Sequence, residues 1–155
     1  MNKYMKFLLT ILIFISGCAS TTLDTDSGVS RQQLLLLPKF IANIMGVDAY
    51  KEAIRNAEKN NKLNNNIEQL DRVRKISYKL IDEAPIFRED AKEWKWEVNV
   101  EDSEEVNAYC MPGGKIMVYS GLIKKVNATD DELAAVIGHE ISHALREHGR
   151  ERMST

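Results

Sequence analysis

The sequence predicts an α+β domain, mainly helical, with a small antiparallel sheet or hairpin beside one capped helix. Three observations carry that prediction. Two long stretches repeat apolar residues at three-and-four spacing, as amphipathic helices do. Between residues 94 and 119 the period drops to two and is broken by Pro112-Gly113-Gly114, as in a hairpin. Beyond it, Thr129-Asp130-Asp131-Glu132 reads as a capping box leading into Leu133, Ala134, Ala135, Val136 and Ile137. The chain has 155 residues, 44% hydrophobic and 28% charged, which suits one modest core and argues against wholesale disorder.

The N-terminus reads as a targeting segment. Lys3 and Lys6 flank an apolar run from Phe7 to Ile15, interrupted only by Thr10. That run is far short of the roughly 20 residues a membrane-spanning helix needs, and it fits a signal peptide over residues 1–17. Ile15-Ser16-Gly17-Cys18 resembles a bacterial lipobox. The resemblance implies cleavage before Cys18, lipidation of its thiol, and stable anchoring by two or more acyl chains. Ala19 in the next position favours, by the same resemblance, the outer membrane of a Gram-negative bacterium, facing the periplasm. An ordinary secretory signal cut near Ala19 and Ser20 is the alternative. Residues 18–30, rich in Ser, Thr, Asp and Gly, read as the lipidated cysteine and a flexible tether.

Residues 31–155 form the expected folded part. Leu34 to Leu37, Phe40, Ile41 and Ile44 make an apolar cluster that Pro38 should interrupt or start as a helix. Asp48 can cap a helix carrying Tyr50, Ala53, Ile54 and Ala57, which ends in the Asn-rich turn from Asn60 to Asn66. A second helix carries Ile67, Leu70, Val73, Ser77, Leu80, Ile81 and Ala84, with Pro85 closing it. Trp94, Trp96, Val98 and Val100 alternate with polar residues as in a half-buried strand. Strands over Val106–Met111 and Lys115–Tyr119 flank the Pro-Gly-Gly turn. The edge of that sheet, at Asn107, Ala108 and Tyr109, can hold an extended peptide by main-chain hydrogen bonds; completion of the core is the plainer role.

Composition bounds the partners. Formal net charge is −2, and without the first seventeen residues 19 basic residues face 23 acidic ones. A mildly acidic domain with no basic stripe is a poor nucleic-acid binder. Cys18 and Cys110 do not make a disulfide framework, and Cys110 reads as a buried small hydrophobe.

The chemistry concentrates in His139-Glu140-Ile141-Ser142-His143, an H-E-x-x-H sequence on the capped helix. Residues four apart share a helix face, so His139 and His143 can both ligate one Zn2+ at about 2.0–2.1 Å. Glu140 projects from the adjoining angle, where a carboxylate can serve as general base toward a zinc-bound water without ligating the metal.

The stretch Asn107-Ala108-Tyr109-Cys110-Met111-Pro112-Gly113-Gly114-Lys115-Ile116-Met117-Val118-Tyr119-Ser120-Gly121-Leu122 continues the pattern, through Asp131 to Gly138, into His139 to Ala144 with His148-Gly149 after it. Together they resemble the gluzincin-type zinc metallopeptidases that include the CAAX prenyl proteases and HtpX. The likeness is strongest to a periplasmic outer-membrane lipoprotein branch, whose start Ser30 to Leu34 also resembles. The resemblance implies a zincin-like fold and a zinc metalloendopeptidase with His139 and His143 as ligands and Glu140 as base. It implies polypeptide substrates, namely misfolded or misassembled proteins of the cell envelope. The family's third ligand is a glutamate in a later Glu-x-x-x-Asp setting, and no such motif follows His143 in this chain. His148, nine residues after His139, falls about 180° around a straight helix, and Glu147 and Glu151 are expected to be poorly placed as well. The chain is therefore expected to be the N-terminal part of a longer peptidase. The alternative is a non-catalytic, chaperone-like lipoprotein that keeps the fold and holds unfolded partners.

Overall fold

The computed structural model describes residues 18–22 and 32–155. The expected signal peptide, residues 23–30 of the expected tether, and Arg31 lie outside the described residues. A two-residue strand β1 (Cys18–Ala19) pairs antiparallel with β2 (Gln33–Leu34), with Cys18 opposite Leu34. The first residues of the expected tether are therefore held by backbone pairing. Thr21 Oγ1 adds a hydrogen bond to Gln33 Oε1 at 2.8 Å.

Helix α1 (Lys39–Lys59) begins directly after Pro38, ten residues ahead of the expected cap at Asp48. Proline suits this position because its fixed φ, −58° here, leads into the first turn. Pro38 O accepts from the Ile41 and Ala42 N–H groups, so no side-chain cap is needed at Asp48. Ala42, Gly46, Tyr50 and Ala57 form its buried line. Helix α2 (Ile67–Phe87) is capped by Asn66, whose side chain accepts from Gln69 N–H. Pro85 does not close it: the helix runs through to Phe87. A proline this near the end removes one backbone hydrogen bond, and Ile81 and Ala84 stay buried on the same face. A 3-10 turn (Glu89–Glu93) follows.

The sheet has three strands: β3 (Glu97–Glu101), β4 (Ala108–Met111) and β5 (Lys115–Tyr119), in the order β3-β5-β4. The expected antiparallel hairpin is β4–β5, with Met111 opposite Lys115. Its turn uses Gly113 and Gly114, both at φ 81°, where L side chains are strained. β3 joins the other side of β5 in parallel, Val98 beside Ile116, so the sheet is mixed. Trp94 and Trp96 stop short of it and stack on each other with ring centroids 5.3 Å apart. Asn64 covers the outer edge of β3. Its N–H donates to Val100 O at 2.8 Å, and its Oδ1 accepts from Val100 N–H at 2.9 Å.

Val98, Val100, Ala108, Ile116 and Val118 share one sheet face and pack with α2 and helix α4 (Asp130–Leu145) into a single core. On the other face α1 is fixed by buried Tyr50, whose hydroxyl donates to Ile116 O at 2.8 Å and accepts from Asn99 Nδ2 at 3.0 Å. A short helix α3 (Ser120–Lys124) leads from β5 toward α4, and α5 (His148–Met153) ends the described chain. This is the α+β, mainly helical domain with a small sheet beside the H-E-x-x-H helix. Among the described residues no helix is long and apolar enough to cross a membrane.

Candidate metal centre

The capping box forms as the sequence predicts. Thr129 Oγ1 accepts from Glu132 N–H at 3.3 Å, and Glu132 Oε2 accepts from Thr129 N–H at 2.8 Å. Asp130, Asp131 and Glu132 crowd the first turn, where negative charge complements the helix dipole. Leu133, Ile137, Ile141, Ala144 and Leu145 form the buried stripe. The helical rotation then leaves His139 exposed, with Glu140 and His143 half-buried at the margin.

The two rings meet as the four-residue spacing requires. Their centroids are 4.5 Å apart and His139 Nε2 lies 2.9 Å from His143 Nε2. Two imidazole nitrogens on one tetrahedral zinc ion stand about 3.3 Å apart, so the pair fits two positions of such a shell after a few tenths of an ångström of opening. Among the described residues no group of three or more His, Cys, Asp or Glu is placed to hold a metal ion. Ser142 Oγ donates to His139 O at 2.7 Å within the same turn.

Glu140 lies near enough to β4 to act on Cys110. Burial, with the nearby Glu140 carboxylate adding to it, pushes the Cys110 thiol up. A thiol held protonated in this way is no nucleophile; Cys110 packs against the core but is half-buried rather than fully buried. Cys110 lies opposite Ile116 on the core face of β4, so the edge strand runs alongside the carboxylate.

The three edge residues divide their roles. Tyr119 N–H donates to Asn107 O at 3.0 Å, and antiparallel alternation then turns the backbone groups of Ala108 and Cys110 away from β5. The side chain of Ala108 is buried in the core, while Tyr109 turns to the opposite face and meets Tyr119 edge-on at 6.1 Å. Asn107 Oδ1 accepts from Ala108 N–H at 2.9 Å and so occupies one outward donor.

His148 departs from its expected place. Helix α4 ends at Leu145, and Glu147 takes a left-handed conformation, φ 50° and ψ 35°. The chain turns there, and His148 folds back with its Nδ1 2.5 Å from His143 Nδ1. Glu147 is buried and bonded to Arg88 and Arg150, and Glu151 accepts from Gln33 Nε2. No local signal in Arg146-Glu147-His148 announces the turn, because its left-handed residue is neither glycine nor asparagine.

Residues 68–155 match Peptidase family M48. The chain is 31% identical over 160 residues to the mitochondrial metalloendopeptidase OMA1 of Bos taurus, across 99% of this chain and 29% of that protein. It is 26% identical over 161 residues to the metalloprotease YcaL of Escherichia coli strain K12, across 98% of this chain and 57% of YcaL. A shorter likeness, 45% over 51 residues, covers 33% of this chain and 19% of the metalloprotease LoiP from the same organism. The chain thus spans less than two thirds of the length of each of these relatives. No solved structure matches it significantly. The matched region takes in α2, the sheet and the helix bearing His139, Glu140 and His143, and a metal cofactor is what such a family implies: the chain belongs to peptidase family M48.

Proposed function

We propose that this chain is a zinc-dependent metalloendopeptidase that cleaves proteins of the cell envelope. The observation that carries the reading is the 2.9 Å approach of His139 Nε2 and His143 Nε2 on the accessible side of α4, with Glu140 beside them. His139 and His143 would hold the metal. Zinc, when bound, supplies Lewis acidity toward the scissile carbonyl and lowers the pKa of water toward about 7. Glu140, near β4, takes the proton of the attacking water and returns it to the leaving amine. The outward carbonyls of Ala108 and Cys110, with the Cys110 N–H, pair with an extended substrate, leaving side chains to set preference.

The endopeptidase character follows from the likeness to the metalloendopeptidase OMA1. Lipidation of Cys18, an outer-membrane location facing the periplasm, and misfolded or misassembled envelope proteins as substrates rest on the lipobox and on the resemblance to the lipoprotein branch. The test is to incubate the purified 155-residue chain with an unfolded reporter polypeptide. Internal cleavage that a chelator stops and added zinc restores is the expected result. A folded, zinc-loaded chain that binds the reporter without cutting it would overturn the enzyme reading in favour of a binding protein.

A further inference from the structure

His148 is a third imidazole in contact with the histidine pair. Its Nδ1 lies 2.5 Å from His143 Nδ1, with ring centroids 4.7 Å apart. The other nitrogen of His143 faces His139 Nε2. Two neutral imidazoles meeting nitrogen to nitrogen at hydrogen-bond distance share one proton. With that proton on His143 Nδ1, its Nε2 carries a lone pair directed at the position beside His139. With the proton on His148 Nδ1, a neutral His143 is protonated on Nε2 and cannot ligate there. Only the first arrangement is compatible with metal binding.

We propose that His148 is a positioning residue. Its Nδ1 accepts the Nδ1 proton of His143 and so fixes the ring orientation and tautomer in which His143 Nε2 is a donor. The inference rests on the reading of His139 and His143 as metal ligands. His148 is not itself placed to share that ion, because it meets the nitrogen of His143 that points away from His139.

The fold supplies this contact through the turn at Glu147. A non-glycine residue at φ 50° persists where its surroundings over-determine it. Arg88 Nη2 donates to Glu147 Oε1 at 2.6 Å, Arg150 Nη1 donates to Oε2 at 2.6 Å, and Arg88 Nη1 donates to Leu145 O at 2.8 Å. The side chain of Glu147 is clamped from both oxygens while its backbone redirects the chain. The next residue is brought back against His143. Metal-ligating histidines nearly always donate their second ring N–H to an outer partner, and loss of such a partner weakens metal binding about 10–100-fold.

The experiment is two-bond nitrogen–proton correlation of the imidazoles in the metal-free, 15N-labelled 155-residue chain, followed by zinc competition against a chelator. The wild-type chain should show His143 protonated on Nδ1. His148→Ala should mix the tautomers of His143 and weaken zinc binding about 10–100-fold. His148→Asn keeps an acceptor oxygen near the same place and should restore both readouts. Three results would overturn the proposal: His143 protonated on Nε2 in the wild type, both readouts unchanged in His148→Ala, or zinc lost as completely in both His148 variants as in His143→Ala. Should His148→Ala fail to fold, the wild-type spectrum and His148→Asn decide. Zinc binding that survives His139→Ala and His143→Ala would sink the ligand reading itself, and the tautomer in the metal-free chain is measured independently of it.

Discussion

Arg88 Nη2 donates to Glu147 Oε1 at 2.6 Å, and both side chains are less than a tenth exposed. The same guanidinium caps the end of the H-E-x-x-H helix at Leu145 O and sits 5.2 Å from the ring centroid of Trp94. Removing Arg88 leaves buried Glu147 with Arg150 as its remaining cationic partner, and breaking a buried ion pair from one side is costly. Arg88→Met should therefore cost about 3 kcal/mol of stability, measured by urea denaturation. Adding Glu147→Gln to that variant should recover more than half of the loss. An equal loss in both variants would show that packing of the Arg88 stem, not charge, dominates.

Asp90 ties the same cluster to α1. Burial alone would raise its carboxyl, but hydrogen bonds from Arg88 and Lys39, with their charges, outweigh that and hold it at about 2. A carboxyl whose folded pKa lies below its unfolded value stabilises the fold at higher pH and loses that contribution as pH falls. Stability should therefore decline between about pH 4 and pH 2, and Asp90→Asn should flatten the decline there. Denaturation midpoints at pH 2, 3, 4 and 5 in both proteins check the sign. An unchanged slope in Asp90→Asn would place the acid sensitivity elsewhere.

Two glycines should respond in opposite directions. A Cβ on Gly121 would stand 2.3 Å from Glu105 O and 2.7 Å from Glu104 O, both backbone atoms. Gly121→Ala should cost roughly 1–3 kcal/mol or more, the range for an overpacked site. A Cβ on Gly138 would meet Leu80 methyl carbons at 3.9 Å, ordinary contact, inside helix α4. Gly138→Ala should raise stability by about 0.5–1 kcal/mol through helix propensity. Thermal melts of the two variants check the pair.

Local chemistry made much of the fold and the site legible. Thr129 and Glu132 cap each other across three residues, His139 and His143 meet across one helical turn, and Pro112-Gly113-Gly114 closes a hairpin between neighbours in sequence. What the sequence hid depends on distant partners. The parallel pairing of β3 with β5 sets Val98 beside Ile116, and alternation within either strand carries no sign of strand direction. His148 returns to His143 because Arg88, far back in the chain, holds Glu147 in a left-handed turn. A straight-helix projection of residues 139–148 could not contain that break.

The general-base role of Glu140 is measured with Glu140→Gln in the 155-residue chain, with zinc content and cleavage of an unfolded reporter read on one preparation. Zinc binding should be retained and cleavage should fall by about 10²–10⁴-fold, the usual worth of a general base. Cleavage at the wild-type rate with zinc in place would contradict that role.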